Sequence, residues 1–119
     1  MKEVFLSRVP GAFEIALASK AYLDKGVDAV IALGAIIRGE TSHYDFVCNA
    51  VERGCTHLQL EYGKPVVFGV LTTDTDEQAF DRVGGKHGHK GKEAAAVAVS
   101  MILELKKIKK GKTVINKKK

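Results

Sequence analysis

Two apolar runs constrain this chain more than anything else in it. Residues 28–37 read DAVIALGAII and residues 65–73 read PVVFGVLTT. Neither alternates polar and apolar positions as a strand with one wet face does. Unbroken runs rich in β-branched residues suit strands covered on both faces, as in a parallel sheet lying between helices. Pro65 falls at a first strand position, where the missing N–H is tolerated.

The segments around these runs supply the helices. From Tyr44 onward Val47, Ala50, Val51, Gly54, Cys55 and Leu58 follow helical spacing and form one apolar stripe. Residues 12–25 predict a helix closed by Gly26, a residue suited to a left-handed cap. Residues 75–83 predict a short helix capped by Thr75. Residues 92–108 predict a last helix that buries Ala94, Val97, Ala98, Met101, Ile102 and Leu105. Residues 3–9 (EVFLSRV) read as a short strand ended by Pro10-Gly11, and residues 84–91 as a glycine-rich loop. Strand and helix alternate, so the expected fold is α/β: a three-layer αβα arrangement on a parallel sheet with right-handed crossovers. At 119 residues the chain is expected to hold one domain, residues 1–110, with residues 111–119 as a lysine-rich tail.

Charge excludes one broad class. Of 19 Lys and Arg, eight lysines stand after position 105 with no acid among them, leaving 11 against 14 acids in the body. A domain with a mildly acidic body is not a uniformly basic nucleic-acid binder. The tail is read as a solvated end, with electrostatic attachment to RNA or another polyanion as the competing reading. Two cysteines, Cys48 and Cys55, sit seven apart without metal-ligand spacing. They predict free thiols in a reducing, cytoplasmic compartment. No stretch reaches the ~20 apolar residues of a membrane span, so no membrane partner is expected.

In an open parallel sheet, ligands bind beyond the carboxyl ends of the strands. Three segments placed there carry chemistry. In residues 9–14, Gly11 allows close backbone approach, Phe13 offers an apolar plane, and Glu14 can accept hydrogen bonds from hydroxyls. The competing reading makes this a plain turn whose Phe packs in the core. In residues 37–43, the start of the long helix provides N–H donors and a favourable dipole for an anion. Thr41 or Ser42 can cap that helix. His43 stands beside the anion, and imidazole is the side chain that ordinarily exchanges protons near neutrality. Arg82 with the loop through Lys90 offers a planar fork and a point charge for phosphate. No GxxxxGK[ST] loop occurs, and His87-Gly88-His89 lacks a third metal ligand. For the last two segments the alternatives are a capped helix with an exposed His and a solvated loop. His57, mid-helix near the stripe, is read as structural.

Four stretches in order carry a resemblance: VPGAFEI (9–15), GAIIRGETSHYDFV (34–47), FGVLTTDTDEQAFDR (68–82) and GKHGHKGKEAA (85–95). In sequence and spacing the chain resembles the lumazine synthases of riboflavin biosynthesis. The resemblance implies a flavodoxin-like sheet and condensation of 5-amino-6-(ribitylamino)uracil with 3,4-dihydroxy-2-butanone 4-phosphate, with no cofactor and no metal. It implies that His43 and Lys90 are catalytic, His43 as the acid/base residue. Gly39, Glu40, Thr41 and Arg82 would bind phosphate. Phe13 and Glu14 would contact the aromatic ring and the ribityl chain, Ile37 would line the ring pocket, and Phe68, Lys86 and Lys90 would complete the substrate site, some of them from the adjacent subunit. Small-molecule substrates and a homopentamer, or an icosahedral shell of pentamers, follow from the same likeness.

The family pattern begins with a strand, a loop bearing an aromatic and an Asn, and a helix, and none of these precedes Glu3. The expected sheet therefore lacks its first strand, between residues 3–9 and 28–37; three readings stand for this, a fragment of a longer chain, a deliberately shortened chain, or residues 112–116 folding back in its place. Ala16 stands where the family usually has Pro. A catalytically inactive shell subunit and a flavin- or pterin-binding protein remain as alternative functions.

Overall fold

The computed structural model describes residues 3–85 and 88–111. A short 3-10 turn, Ala12–Glu14, runs into α1, Ile15–Asp24. Strand β1, Val30–Ile37, is followed by α2, His43–Tyr62, then β2, Val66–Thr73. Helix α3, Asp76–Phe80, leads to a small hairpin of β3, Val83–Gly85, and β4, Gly88–His89. Helix α4, Lys90–Lys109, completes the described chain.

The two apolar runs pair as expected. β1 and β2 lie parallel, with Val30 opposite Val66 and Ile37 opposite Thr73. Side chains alternate between the faces of a strand. A Cβ built on Gly34 would meet Ile15 of α1, which places the even-numbered face of β1 against α1. A Cβ on Gly69 would meet Ala94 of α4, which places the odd-numbered face of the sheet against α4. Helices therefore cover both faces, α1 and α2 on one side and α4 on the other, giving the αβα layering.

The main core lies on the α1–α2 side. Ile15, Leu23, Ala32, Ile36, Val47, Val51, Cys55, Leu58, Val66 and Val70 form one buried cluster. Four of these, Val47, Val51, Cys55 and Leu58, are the α2 stripe read from the sequence. Burial pushes the Cys55 thiol's pKa up, as expected for a sulfhydryl held away from water. Gly54 lets α1 approach: a Cβ there would come within 2.7 Å of the Ala16 methyl. Gly63 closes α2 with φ of 63°, the left-handed conformation that favours glycine.

Several expectations are corrected. Residues 3–9 form no strand; a strand exists by its ladder, and among the described residues nothing pairs with this segment. Its side chains turn to α1 instead, where Phe5 stacks on Tyr22 with 6.2 Å between centroids and Ser7 hydrogen-bonds the Tyr22 hydroxyl. β1 is not covered on both faces: Ile31, Leu33 and Ile37 are exposed, because α4 packs chiefly over β2. On α4 itself Ala94 and Ala98 are buried and Ile102 and Leu105 half-buried, but Val97 and Met101 are exposed. Of the loop expected over residues 84–91, the described residues 84–85 and 88–89 belong to the paired strands β3 and β4, and residues 90–91 to the first turn of α4. His57 is on the solvent side of α2, with Nε2 3.0 Å from Glu61 Oε1. The suggested strand at 112–116 lies outside the described residues.

Candidate active site

The helices share an orientation that fixes where a ligand can bind. The far end of α1 meets the far end of α2 through the hydrogen bond from the Tyr62 hydroxyl to Asp24. Both helices therefore start at the opposite end of the sheet, the end where β1 stops at Ile37. α3 follows directly from β2, and Lys90, the first residue of α4, shares a cleft with Val70, Leu71 and Thr72. Four helix starts thus gather at the carboxyl edge of the sheet. Amides and dipoles at such starts favour an anion.

The expected segments occupy this edge. Phe13 is 62% exposed, so it is not a core aromatic, and its ring is open to a ligand. Glu14 is half-buried, its backbone N–H donating to the Gly11 carbonyl at 3.2 Å. Its carboxylate lies close against Gly11, where a Cβ would stand 3.3 Å from Oε1. Ile37 ends β1 with its side chain partly exposed. Beyond it Gly39, Glu40 and Thr41 form an exposed loop, and a Cβ on Gly39 would meet nothing within 4 Å.

His43 is the first residue of α2, an exposed side chain on a fixed backbone. Its N–H donates to Thr41 Oγ1 at 3.2 Å, so Thr41 rather than Ser42 supplies the side-chain acceptor at this helix start. The carbonyl of Ser42 accepts from the N–H groups of Asp45 and Phe46.

Arg82 and Lys90 come together by a local device. The hairpin pairs Val83 with His89 and Gly85 with Gly88, and the Lys90 N–H donates to the Arg82 carbonyl at 2.6 Å. Gly88 holds φ of 86°, and a Cβ there would collide with the Glu93 carboxylate at 2.6 Å. The positive φ is what favours glycine here, since the Glu93 side chain can swing aside. Arg82 Nη1 donates to the Gln78 carbonyl at 2.9 Å, which steadies the fork from the α3 side. α3 is in turn fixed by a capping box: Thr75 Oγ1 accepts from the Gln78 N–H at 3.1 Å, and Gln78 Oε1 accepts from Thr75. The result is a cleft of about 210 Å³ lined by Val70, Leu71, Thr72, Arg82, Lys90 and Glu93. Two cations and one carboxylate converge there beside the end of β2.

Four of these features, the exposed Phe13, the loop before His43, and the two cations of the cleft, match the residues of the motif stretches. The sequence model described as 6,7-dimethyl-8-ribityllumazine synthase matches residues 1–106. The chain belongs to that family. It is 59% identical over 100 residues to the 6,7-dimethyl-8-ribityllumazine synthase of Bdellovibrio bacteriovorus, covering 84% of this chain and 56% of the relative. Identity is 56% over 102 residues to the synthase of Cytophaga hutchinsonii and 47% over 102 residues to that of Parabacteroides distasonis. Each of these two alignments covers 85% of this chain and 64% of the relative. The chain therefore spans between half and two thirds of the length of these relatives.

In this lumazine synthase family member Arg82 and Lys90 are the expected site residues that line the cleft; Phe13, Glu14, Ile37, Gly39, Glu40, Thr41 and His43 are not among its lining residues. Phe68 does not line the Arg82–Lys90 cleft; it lies in a second groove of about 380 Å³ with Glu52, Cys55, Thr56, Val97 and Met101. Lys86 lies outside the described residues. Sequence reasoning missed the neighbours of Arg38. Its guanidinium reaches Asp74, Asp45 and the face of Tyr44. Burial first, and then Cys48, raises the Tyr44 hydroxyl's pKa above its ordinary value. Arg38 and Tyr44 are legible in the motif GAIIRGETSHYDFV, but Asp74 lies 36 residues beyond Arg38.

Among the described residues, no helix is long and apolar enough to cross a membrane.

Proposed function

We propose that this chain condenses 5-amino-6-(ribitylamino)uracil with 3,4-dihydroxy-2-butanone 4-phosphate, giving 6,7-dimethyl-8-ribityllumazine and releasing phosphate and water. The observation that carries the reading is the convergence of Arg82 and Lys90 on one cleft at the sheet edge where the His43 helix begins. Condensation of an amine with a phosphorylated ketone needs both parts: a cationic site for the phosphate and a group that exchanges protons.

The reaction runs through addition of an aryl amine to the ketone, loss of water to an imine, departure of phosphate and ring closure. His43 exchanges protons in these steps, an effect worth ~10²–10⁴-fold for a well-placed acid/base group. Arg82, Thr41 and the backbone of Gly39 and Glu40 hold the phosphate as its charge grows on departure, with Lys90 acting on the leaving group as the second catalytic cation. Phe13 stacks on the pyrimidine side, Glu14 accepts from ribityl hydroxyls, and Ile37 lines the ring pocket. Lys86 belongs to the same set by family position. No organic cofactor or metal enters these steps.

The separate groove around Phe68 supports a site completed between copies of the chain, Phe68 reaching a neighbour's cleft. The exposed apolar residues Ile31, Leu33, Val97, Met101 and Leu103 support the same assembly, a homopentamer or a shell of pentamers. Apolar surface of this kind marks association faces. Small-molecule substrates and a cytoplasmic location belong to this reading.

The deciding experiment mixes the purified 119-residue chain with both substrates and follows the lumazine chromophore. Turnover above the uncatalysed rate is expected. Its absence from a folded, oligomeric protein would favour an inactive shell subunit or a flavin- or pterin-binding protein instead. Arg82→Ala is expected to raise KM for the phosphate-bearing ketone by about 10- to 100-fold, the ~1.5–3 kcal/mol of a charge-assisted hydrogen bond. Steady-state kinetics with that substrate varied provides the check, and an unaltered KM removes Arg82 from the phosphate site.

A further inference from the structure

Arg38 is the first residue beyond β1 and the immediate neighbour of the Gly39–Glu40–Thr41 loop. By charge and position it reads as one more phosphate ligand. Its contacts say otherwise. Nε donates to Asp74 Oδ1 at 2.8 Å, and Nη2 stands 3.8 Å from Asp45 Oδ1. The guanidinium carbon lies 4.3 Å from the centre of the Tyr44 ring, a cation–π distance. Its backbone N–H donates to the Thr73 carbonyl at 2.9 Å, which extends the β1–β2 ladder by one residue. Asp74 is itself held, its N–H donating to Gln78 Oε1 at 2.8 Å. One planar cation therefore joins the end of β1, the α3 cap, and the two residues of α2 that directly follow His43.

We propose that Arg38 is a positioning residue: it fixes the first turn of α2, and with it the His43 imidazole, against the β2–α3 loop, and it does not bind phosphate. Two carboxylates and an aromatic face already engage its charge. Arginine suits the task because a rigid fork can serve several partners at once, whereas lysine offers a point charge. The pairs are exposed, and exposed ion pairs contribute little to folding stability. Their consequence lies in geometry, where misplacing a reacting group by about 1 Å can cost ~10²-fold in rate.

The inference rests on His43 as the acid/base residue, so its test has a kinetic arm and an independent spectroscopic arm. Arg38→Ala is expected to lower kcat by about 10- to 100-fold while KM for the phosphate-bearing ketone stays within about twofold, the pattern of a lost transition-state arrangement. Asp74→Asn should lower kcat in the same direction. The double variant should be no slower than Arg38→Ala alone, since both changes cut one tether. Arg38→Lys should recover part of kcat. A raised KM with kcat kept, or additive effects of the two substitutions, would overturn the proposal and make Arg38 a ligand or a bystander.

If the unaltered chain makes no product, the reaction assigned above fails and the tether is judged without it. The His43 ring resonances are then followed by NMR, and inorganic phosphate is titrated as the anion probe. Arg38→Ala and Asp74→Asn should both shift or broaden the His43 signals and leave phosphate affinity unchanged. Unperturbed His43 signals, or phosphate binding lost with Arg38, would refute the tether.

Discussion

His43→Ala lowers kcat by about 10²–10⁴-fold, the contribution of a positioned acid/base group, while the chain keeps its fold and assembly. The expectation of an intact fold follows from placement. The imidazole is exposed at the first residue of α2. Among the described residues, the side-chain hydrogen bond at that position uses its backbone N–H, donated to Thr41 Oγ1, which alanine retains. The α2 stripe that anchors the helix begins at Val47, a full turn later. Steady-state turnover beside circular dichroism and sedimentation measures both halves. Unchanged turnover removes His43 from the mechanism, and loss of helicity would show that it serves the fold.

The largest effect on stability belongs to Gly69→Val. A Cβ at this position would lie 2.8 Å from Leu33 Cδ2, 3.1 Å from the Ala32 carbonyl oxygen and 3.1 Å from the Ala94 methyl. The first contact is soft, because Leu33 is 54% exposed and its side chain can swing aside. The other two are not. Ala32 is held in the β1–β2 ladder, and Ala94 is 4% exposed at the point where α4 rests on the sheet. Valine would raise strand propensity, an effect within ~1 kcal/mol. Its branched carbons push α4 outward, and overpacking of this kind costs about 1–3 kcal/mol. The clash outweighs the propensity, so a net loss of about 2 kcal/mol is expected, a sizeable share of a domain's ~5–15 kcal/mol. Urea unfolding decides it: the midpoint falls with an unaltered slope, or the close approach of α4 is not what requires glycine. Lys90 sits at the head of that helix, so displacement also widens the cleft it shares with Arg82.

Local periodicity made much of this fold legible. The β1 and β2 runs, the α2 stripe and the α3 cap at Thr75 depend on neighbours a few residues away, and the sequence displays those neighbours. Residues 3–9 have strand composition yet form none, because strand identity belongs to a ladder and composition cannot supply the partner. Glycines made residues 84–91 look like an open loop. In the structure Gly84 and Gly88 hold positive φ, and Val83 and Gly85 pair with His89 and Gly88. Val97 and Met101 keep helical spacing with Ala94 and Ala98, but spacing marks a stripe and does not say how much of it a partner covers.

The site divides the same way. His43, Thr41, Arg82 and Lys90 were legible as residue types at loop ends, and their gathering at one sheet edge follows from the parallel topology. The Arg38–Asp74 link was not legible, since it depends on β1 and β2 lying in register over eight paired positions. The separation of Phe68 from the cleft was equally hidden. It depends on which strand edge and which helix flank are left open, facts that exist only after packing.

Helix α4 carries cations at both ends, Lys90 at its first residue and Lys106, Lys107 and Lys109 in its last turn. Twenty residues of helix span ~30 Å at 1.5 Å per residue. Charges in water lose sight of one another beyond ~8 Å at physiological ionic strength. The two clusters are therefore electrically independent: an anion gathered at one end neither competes with an anion at the other nor changes its field. One rod serves as a spacer between two charge environments, so added salt can strip the distal end of its counter-ions' partners while the cleft, partly shielded by protein, holds its own.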